Sequence, residues 1–209
     1  MGRSNRSAHR TDMRMRIAAA AARIMAEEGI DDFARAKRKA ARRLGAPDSE
    51  ALPANDEIEA ELREYLALYQ SEAHPERVDA LRRAALEAMG ALERFSPYLT
   101  GAVLSGIAGP YAEIELQLFP ESSKEVELFL LDHGIAYEAS DERRYTGDRA
   151  RAVAIISTEW QGMPLRLSVF DPRDERAAIK TSQAGRVAAR AGIAEVRMLV
   201  EAGDGARTA

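Results

Sequence analysis

Leu99-Thr100-Gly101-Ala102-Val103-Leu104-Ser105-Gly106, followed after a short gap by Ala112-Glu113-Ile114-Glu115-Leu116-Gln117-Leu118-Phe119, is the stretch that decides how this chain is read. Ten residues lie between Ala102 and Glu113. In the second segment apolar Ile114, Leu116 and Leu118 alternate with polar Glu113, Glu115 and Gln117. A period of two predicts a half-buried strand, with residues i and i+2 on one face. Glu113 and Glu115 then stand side by side while Ile114 and Leu116 turn to the core. The first segment reads as a strand, Tyr98 to Leu104, interrupted by glycine. Gly101 and Gly106 allow backbone amides to approach an oxyanion closely. Paired carboxylates suit magnesium, which takes hard oxygen ligands from one or two acids and from phosphate.

Upstream of this stretch the pattern is helical. Residues 1–12 are polar and Arg-rich and are expected to be disordered. Ile17, Ala20, Ala21, Ile24 and Met25 recur at helical spacing and predict a helix over 13–28. Phe33, Ala36, Ala40 and Leu44 predict a second over 32–44, whose remaining faces carry Arg35, Lys37, Arg38, Lys39, Arg42 and Arg43. A third follows Asn55, with Asp56 and Glu59 as its expected cap and Ile58, Leu62, Tyr65, Leu66 and Tyr69 as its stripe. A fourth runs from near Pro75 to Pro97. Downstream, Ser122 with Glu125 predicts a capping box, and Gly134 a stop. A short strand at 135–138, two strands at 152–158 and 165–170 around a turn at 160–164, and a helix over 183–202 complete the layout. The fold class is therefore α+β: a helical N-terminal segment, then a small mixed β-sheet with flanking helices. The domain reading is a basic tail (1–12), a helical region (13–95) and an α+β domain (96–209).

Composition bounds the function. Residues 1–43 carry twelve Lys or Arg against five Asp or Glu, a net +7, while the rest carries −11. A basic end on an acidic body is either a solvated tail with one charged helix face or an end that draws nucleic acid. No apolar run approaches the ~18 residues of a membrane helix, so no membrane role is expected. The absence of cysteine excludes disulfides and thiolate metal sites and fits a cytoplasmic chain.

The strand, the glycine turn, the spacing and the acid-apolar-acid strand together resemble the nucleotidyltransferase fold, the polymerase-β-like family. The match is close over residues 95–120 and loose to about 170. The resemblance implies a turn that cradles a nucleoside triphosphate, built from Gly101, Ala102, Ser105 and Gly106. It implies Glu113 and Glu115 as the catalytic, magnesium-holding pair. The family's Gly-Ser is Gly101-Ala102 here, and its Asp-x-Asp is Glu113-Ile114-Glu115. The third acid it places on a later strand falls where this chain has Arg166 and Ser168, so Arg166 is expected to contact phosphate instead. Two-metal transfer needs carboxylates as bridges. The expected function is thus nucleotide or RNA binding on this fold, with magnesium-dependent transfer open. Two rivals are a non-catalytic scaffold that binds a protein partner and a DNA-binding regulator. For the regulator, Ile17 to Gly29 resembles the first helix of a TetR-type helix-turn-helix, and Ala40 to Gly45 the helix before a recognition helix. The next helix, with Asp56, Glu57, Glu59, Glu61 and Glu64, is too acidic for a major groove.

Overall fold

The computed structural model describes the backbone of residues 2–28, 30, 32–46, 52–69, 73–146, 149–180 and 187–208, with side chains described from 11 to 205. The chain divides into two compact units, residues 1–76 with 107–112, and residues 77–106 with 113–209. The boundary thus falls inside the helical region expected over 13–95.

In the first unit α1 (Gly2–Glu28) contacts both α2 (Phe33–Arg43) and α3 (Asn55–Tyr69). Ile17, Ala21 and Ile24 of α1, Ala36 and Ala40 of α2, and Ile58, Leu62 and Leu66 of α3 are buried. Their three- and four-residue spacings place each set on one helix face. The helical backbone begins at Gly2, so it runs through the segment expected to be disordered. No proline interrupts residues 2–28, and arginine and alanine are good helix formers. The Asp32 carboxylate caps α2 by accepting from the Arg35 amide at 3.0 Å. The cap of α3 differs from the expected Asp56–Glu59 pair. Glu57 reaches back to accept from the Ala54 amide at 2.6 Å, two positions earlier than periodicity suggested. Glu57 also accepts from Arg14 Nε at 2.9 and 3.1 Å, tying α1 to α3.

The second unit holds α4 (Ala73–Ala91) from Arg77 onward and a seven-stranded mixed sheet. Its elements are β1 (Tyr98–Thr100), α5 (Gly101–Ser105), β2 (Ile114–Leu118), α6 (Ser123–Asp132), β3 (Tyr137–Thr146), β4 (Arg149–Trp160), β5 (Met163–Val169), β6 (Ile179–Lys180), β7 (Arg190–Ala191) and α7 (Ile193–Thr208). The order across the sheet is β6-β3-β4-β5-β2-β1-β7. Strands β2 and β5 run parallel, and every other pair is antiparallel. The architecture is α+β as expected, but the sheet is larger than the small one anticipated. The strand expected over 98–104 ends at Thr100, because Gly101 turns the chain into α5. The short strand expected at 135–138 is instead a ten-residue β3. Its two faces are both largely polar, which hides the period of two. The Gln161-Gly162 turn has φ of 51° and 76°, as a tight two-residue hairpin requires. Ser122 caps α6 through the Lys124 amide at 3.3 Å. Gly192 precedes α7, and its amide donates to Glu195 at 2.8 Å. Residues 183–186 of the helix expected over 183–202 lie outside the described residues.

Leu99, Ile114, Leu116, Leu118, Leu165 and Leu167 are buried on one face of the sheet. The other face carries a second cluster of Phe119, Val153, Ile155, Phe170 and Ile179, with Tyr98 against it. The Phe119 and Phe170 rings stack at 5.6 Å, and Tyr98 meets Phe119 edge-on at 5.8 Å.

The hydrogen bond from Arg14, and then that from the Ala54 amide, hold the Glu57 carboxyl below its ordinary pKa. A carboxyl depressed in the folded state contributes stability above the unfolded value of about 4.3, lost as pH falls through the folded value. Both side chains are more than a third exposed, so solvent screening keeps the contribution below about 1 kcal/mol. Glu57→Gln is expected to lower the melting temperature at pH 7 and to flatten its decline between pH 5 and 3. Thermal melts followed by circular dichroism check both effects.

Candidate functional site

Thr100 is extended, with φ −140°, and Gly101 then adopts φ +71°. That left-handed turn opens α5, which closes at Gly106 with φ +72°. A side chain at Gly101 is disfavoured by the backbone and would displace the Glu115 carboxylate. The left-handed conformation favours glycine, and a Cβ would overlap Glu115 Oε1 and come within 2.7 Å of Glu115 Cδ. The Glu115 carboxylate therefore lies directly against the turn. Ala102 is half-buried in the first turn of α5. Ser105 is exposed, and its hydroxyl donates to the Gly101 carbonyl at 3.0 Å. Its proton is thus used within its own helix.

The other end of α5 is held from α4. Arg82 donates through Nε to the Val103 carbonyl at 3.2 Å and through Nη2 to the Leu104 carbonyl at 3.0 Å. A cation at a helix C-terminus is favourable. Burial lowers the Arg82 pKa from its ordinary value, opposed by Asp79.

The strand registers set a row of residues across the sheet. Arg190 on β7 is opposite Thr100 on β1, Thr100 is opposite Glu115 on β2, and Glu115 is beside Arg166 on β5. Ser157 on β4 continues the row. Paired positions share a face, so a guanidinium-bearing position stands on each side of Glu115. Glu113 precedes β2 on the same face by alternation and is half-buried.

Each arginine also has neighbours outside the row. Arg166 donates to Glu142 on β3, which also pairs with Arg144 at 2.6 Å. Burial opposes charge on Glu142, but the Arg166 hydrogen bond and the Arg144 charge outweigh it and leave its pKa lowered. Arg190 lies over the Tyr98 ring, 4.8 Å from its centre, and donates through Nη2 to the Glu175 carbonyl. Its Nη1 is buried without a hydrogen-bond partner. Tyr98 donates to Glu175 Oε1 at 2.9 Å; that bond, and then burial, raise its pKa. In the next row Gln117 is 5% exposed, and its Oε1 also lacks a partner.

The structure therefore brings together Gly101, Glu115 and Arg166, with Ala102, Ser105 and Gly106 on the adjoining turn. The donor set fits magnesium poorly. One carboxylate stands on β2 and the other just before it, and the neighbouring strand supplies a cation at position 166, which repels a metal ion. No group of three His, Asp or Glu converges among the described residues. Three residues of this region escaped the sequence reading. Arg82 and Arg190 belong to no periodic pattern, and Glu142 lies in the strand whose polar faces conceal it.

The regulator reading needed Arg38, Lys39 and Arg42 exposed. Arg38 and Arg42 are exposed, whereas Lys39 is bound to Glu28. The acidic α3 follows α2, as the sequence indicated.

Gly101→Ala is expected to cost about 1–2 kcal/mol from the left-handed backbone alone. It also expels the Glu115 side chain. Glu115→Ala in the same chain is expected to recover the steric part and leave the backbone part. A double-mutant cycle by urea unfolding measures that coupling, and additive costs would show that Gly101 and Glu115 are independent. No protein-family model, no curated protein and no solved structure matches this chain.

Proposed function

We propose that the second unit is a nucleotidyltransferase-like domain that binds a nucleotide through its phosphates, without two-metal transfer chemistry. The observation that carries this reading is the cross-strand row Arg190–Thr100–Glu115–Arg166 beside the Gly101 turn. In the family that the sequence resembles, a strand, a glycine turn and an acid-bearing strand precede a later strand with the third acid. Strand β5 lies parallel to β2, with position 166 beside position 115, and this supports the reading. The residue there is arginine. A guanidinium offers fixed N–H donors that match phosphate oxygens, so it supplies directly the positive charge that a metal would otherwise supply.

The chemistry follows from that exchange. A phosphate beside Arg166 is repelled by Glu115 unless the carboxylate moves or is neutralised. Arg166 must also share its donors with Glu142. Binding of modest affinity is therefore expected. Thr100 is not free to help, since its hydroxyl donates to the Ala189 carbonyl at 2.8 Å. The unmet donor at Arg190 Nη1 marks the opposite end of the row.

Isothermal titration of the whole chain with each nucleoside triphosphate, in chelator and in magnesium, tests the reading. Binding is expected without magnesium, and Arg166→Ala is expected to weaken it at least tenfold with the fold intact by circular dichroism. Unchanged affinity in that variant, or no binding to any triphosphate, overturns the proposal. Binding that requires magnesium and disappears in Glu113→Ala/Glu115→Ala overturns it in favour of a metal-bridged site.

A further inference from the structure

Helix α2 carries six basic residues, and the fold uses only part of that charge. Lys39 and Arg43 pair with Glu28, the latter at 2.8 Å. Lys37 donates to Asn55 at 2.7 Å. The other three, Arg35, Arg38 and Arg42, are exposed, and their guanidinium groups form no ion pair or hydrogen bond among the described residues. Asp32, the acid nearest in sequence, is engaged through its carboxylate by the Arg35 backbone amide.

The three arginines stand at i, i+3 and i+7, so they form one stripe about 10 Å long. The stripe lies on the side of α2 opposite the fully buried Ala36 and Ala40. Folding does not account for it. The first turn of α2 contains Arg35 and no acid, although the helix dipole disfavours a cation there. Nor does the stripe resemble the centre of a protein interface. One flank is Ala34 and Ala41 and the other is Lys39 and Arg43, with no large apolar or aromatic anchor. The small residues of the first flank leave the guanidinium groups open to a close, charged surface. Arginine grips phosphate oxygens in pairs, and contact with a phosphate backbone requires charge without a base code.

We propose that α2 is a sequence-independent contact for the phosphate backbone of nucleic acid, made by Arg35, Arg38 and Arg42. This surface belongs to the first unit and does not depend on the nucleotide reading of the second. Three neutralised phosphates on a single strand release counterions, giving a slope near −2 in log K against log salt from this stripe alone.

The test is fluorescence anisotropy of the full chain with a labelled mixed-sequence single-stranded RNA, from 50 to 200 mM salt. The triple variant Arg35→Gln/Arg38→Gln/Arg42→Gln is expected to bind at least tenfold more weakly at low salt and to lose about two units of slope. The triple lysine variant, which keeps the charge, is expected to retain the slope. Single glutamine variants, expected to fold normally at exposed positions, should each lose about 0.7 of a unit. Failure of the parent chain to bind at 50 mM salt overturns the proposal, as does an unchanged slope in the variants. Two further results overturn it in favour of another occupant. One is self-association abolished by the triple glutamine variant, pointing to an acidic face of a second copy. The other is binding to anionic vesicles but not to RNA.

Discussion

The second unit depends on strand β2 being paired along both edges in opposite senses. One edge runs antiparallel to β1, and the other runs parallel to β5. An antiparallel neighbour is reached by a local turn, here widened to hold α5. A parallel neighbour requires a long crossover, and α6, β3 and β4 fill it. Both faces of β2 are consequently constrained. Ile114, Leu116 and Leu118 are fully buried on one face, while Gln117 is almost fully buried on the other. Glu115 is the polar residue of the strand that retains exposure, and it does so against the one position, Gly101, that has no side chain to refuse it. The alternation of β2 and the glycine at 101 are thus two parts of one steric condition.

The same condition governs the electrostatics of the candidate site. An isolated carboxylate beside a glycine turn would suit a cation. Here the neighbouring register positions on the left and right of β2 lead to Arg190 and Arg166. Arg166 is shared with Glu142, and Glu142 with Arg144, so charge alternates along the surface instead of accumulating as a focus for a divalent ion. Removing one member would leave its partner half-buried and only partly neutralised, which is why such chains resist piecemeal change. The arrangement favours a ligand that can replace an existing carboxylate at a guanidinium, and phosphate is a chemically close substitute for carboxylate in that role.

Much of this architecture was legible in the sequence, for reasons that vary by element. Helices α2 and α6 were visible because an apolar stripe ends at a glycine, and α6 also starts at a capping serine. Strand β2 was visible because its two faces differ in polarity. Only the start of strand β3 was, because Glu138, Ser140 and Glu142 alternate with Ala139, Asp141 and Arg143, leaving no apolar face to betray the period beyond it. The candidate site was legible only along the chain. Gly101, Glu113 and Glu115 are close in sequence, so spacing could connect them. Arg190 and Glu142 join the region through register across the sheet, and no local pattern carries that information. Arg82 is hidden for a related reason: its role is to meet carbonyls at the end of α5, and a helix end advertises its need for a cation without specifying which helix supplies it.

Helix α2 shows how surplus charge can be separated from structural charge. Pairing by Glu28 and Asn55 explains Lys37, Lys39 and Arg43 as links to α1 and to the start of α3. If the remaining arginines were merely solvating, lysine or glutamate would serve as well, and acidic residues in the first turn would stabilise the helix. The helix instead has arginine at all three positions and no acid in that turn. Its helix propensity is preserved, since arginine and alanine are both good formers, but its electrostatic self-energy is raised by like charges three and four residues apart. An anion bound along the stripe would relieve that repulsion, so binding and the local stability of α2 must be thermodynamically linked. A polyanion that occupies the stripe should therefore protect α2 amides more than those of α3, whose exposed Asp56 and Glu64 repel it.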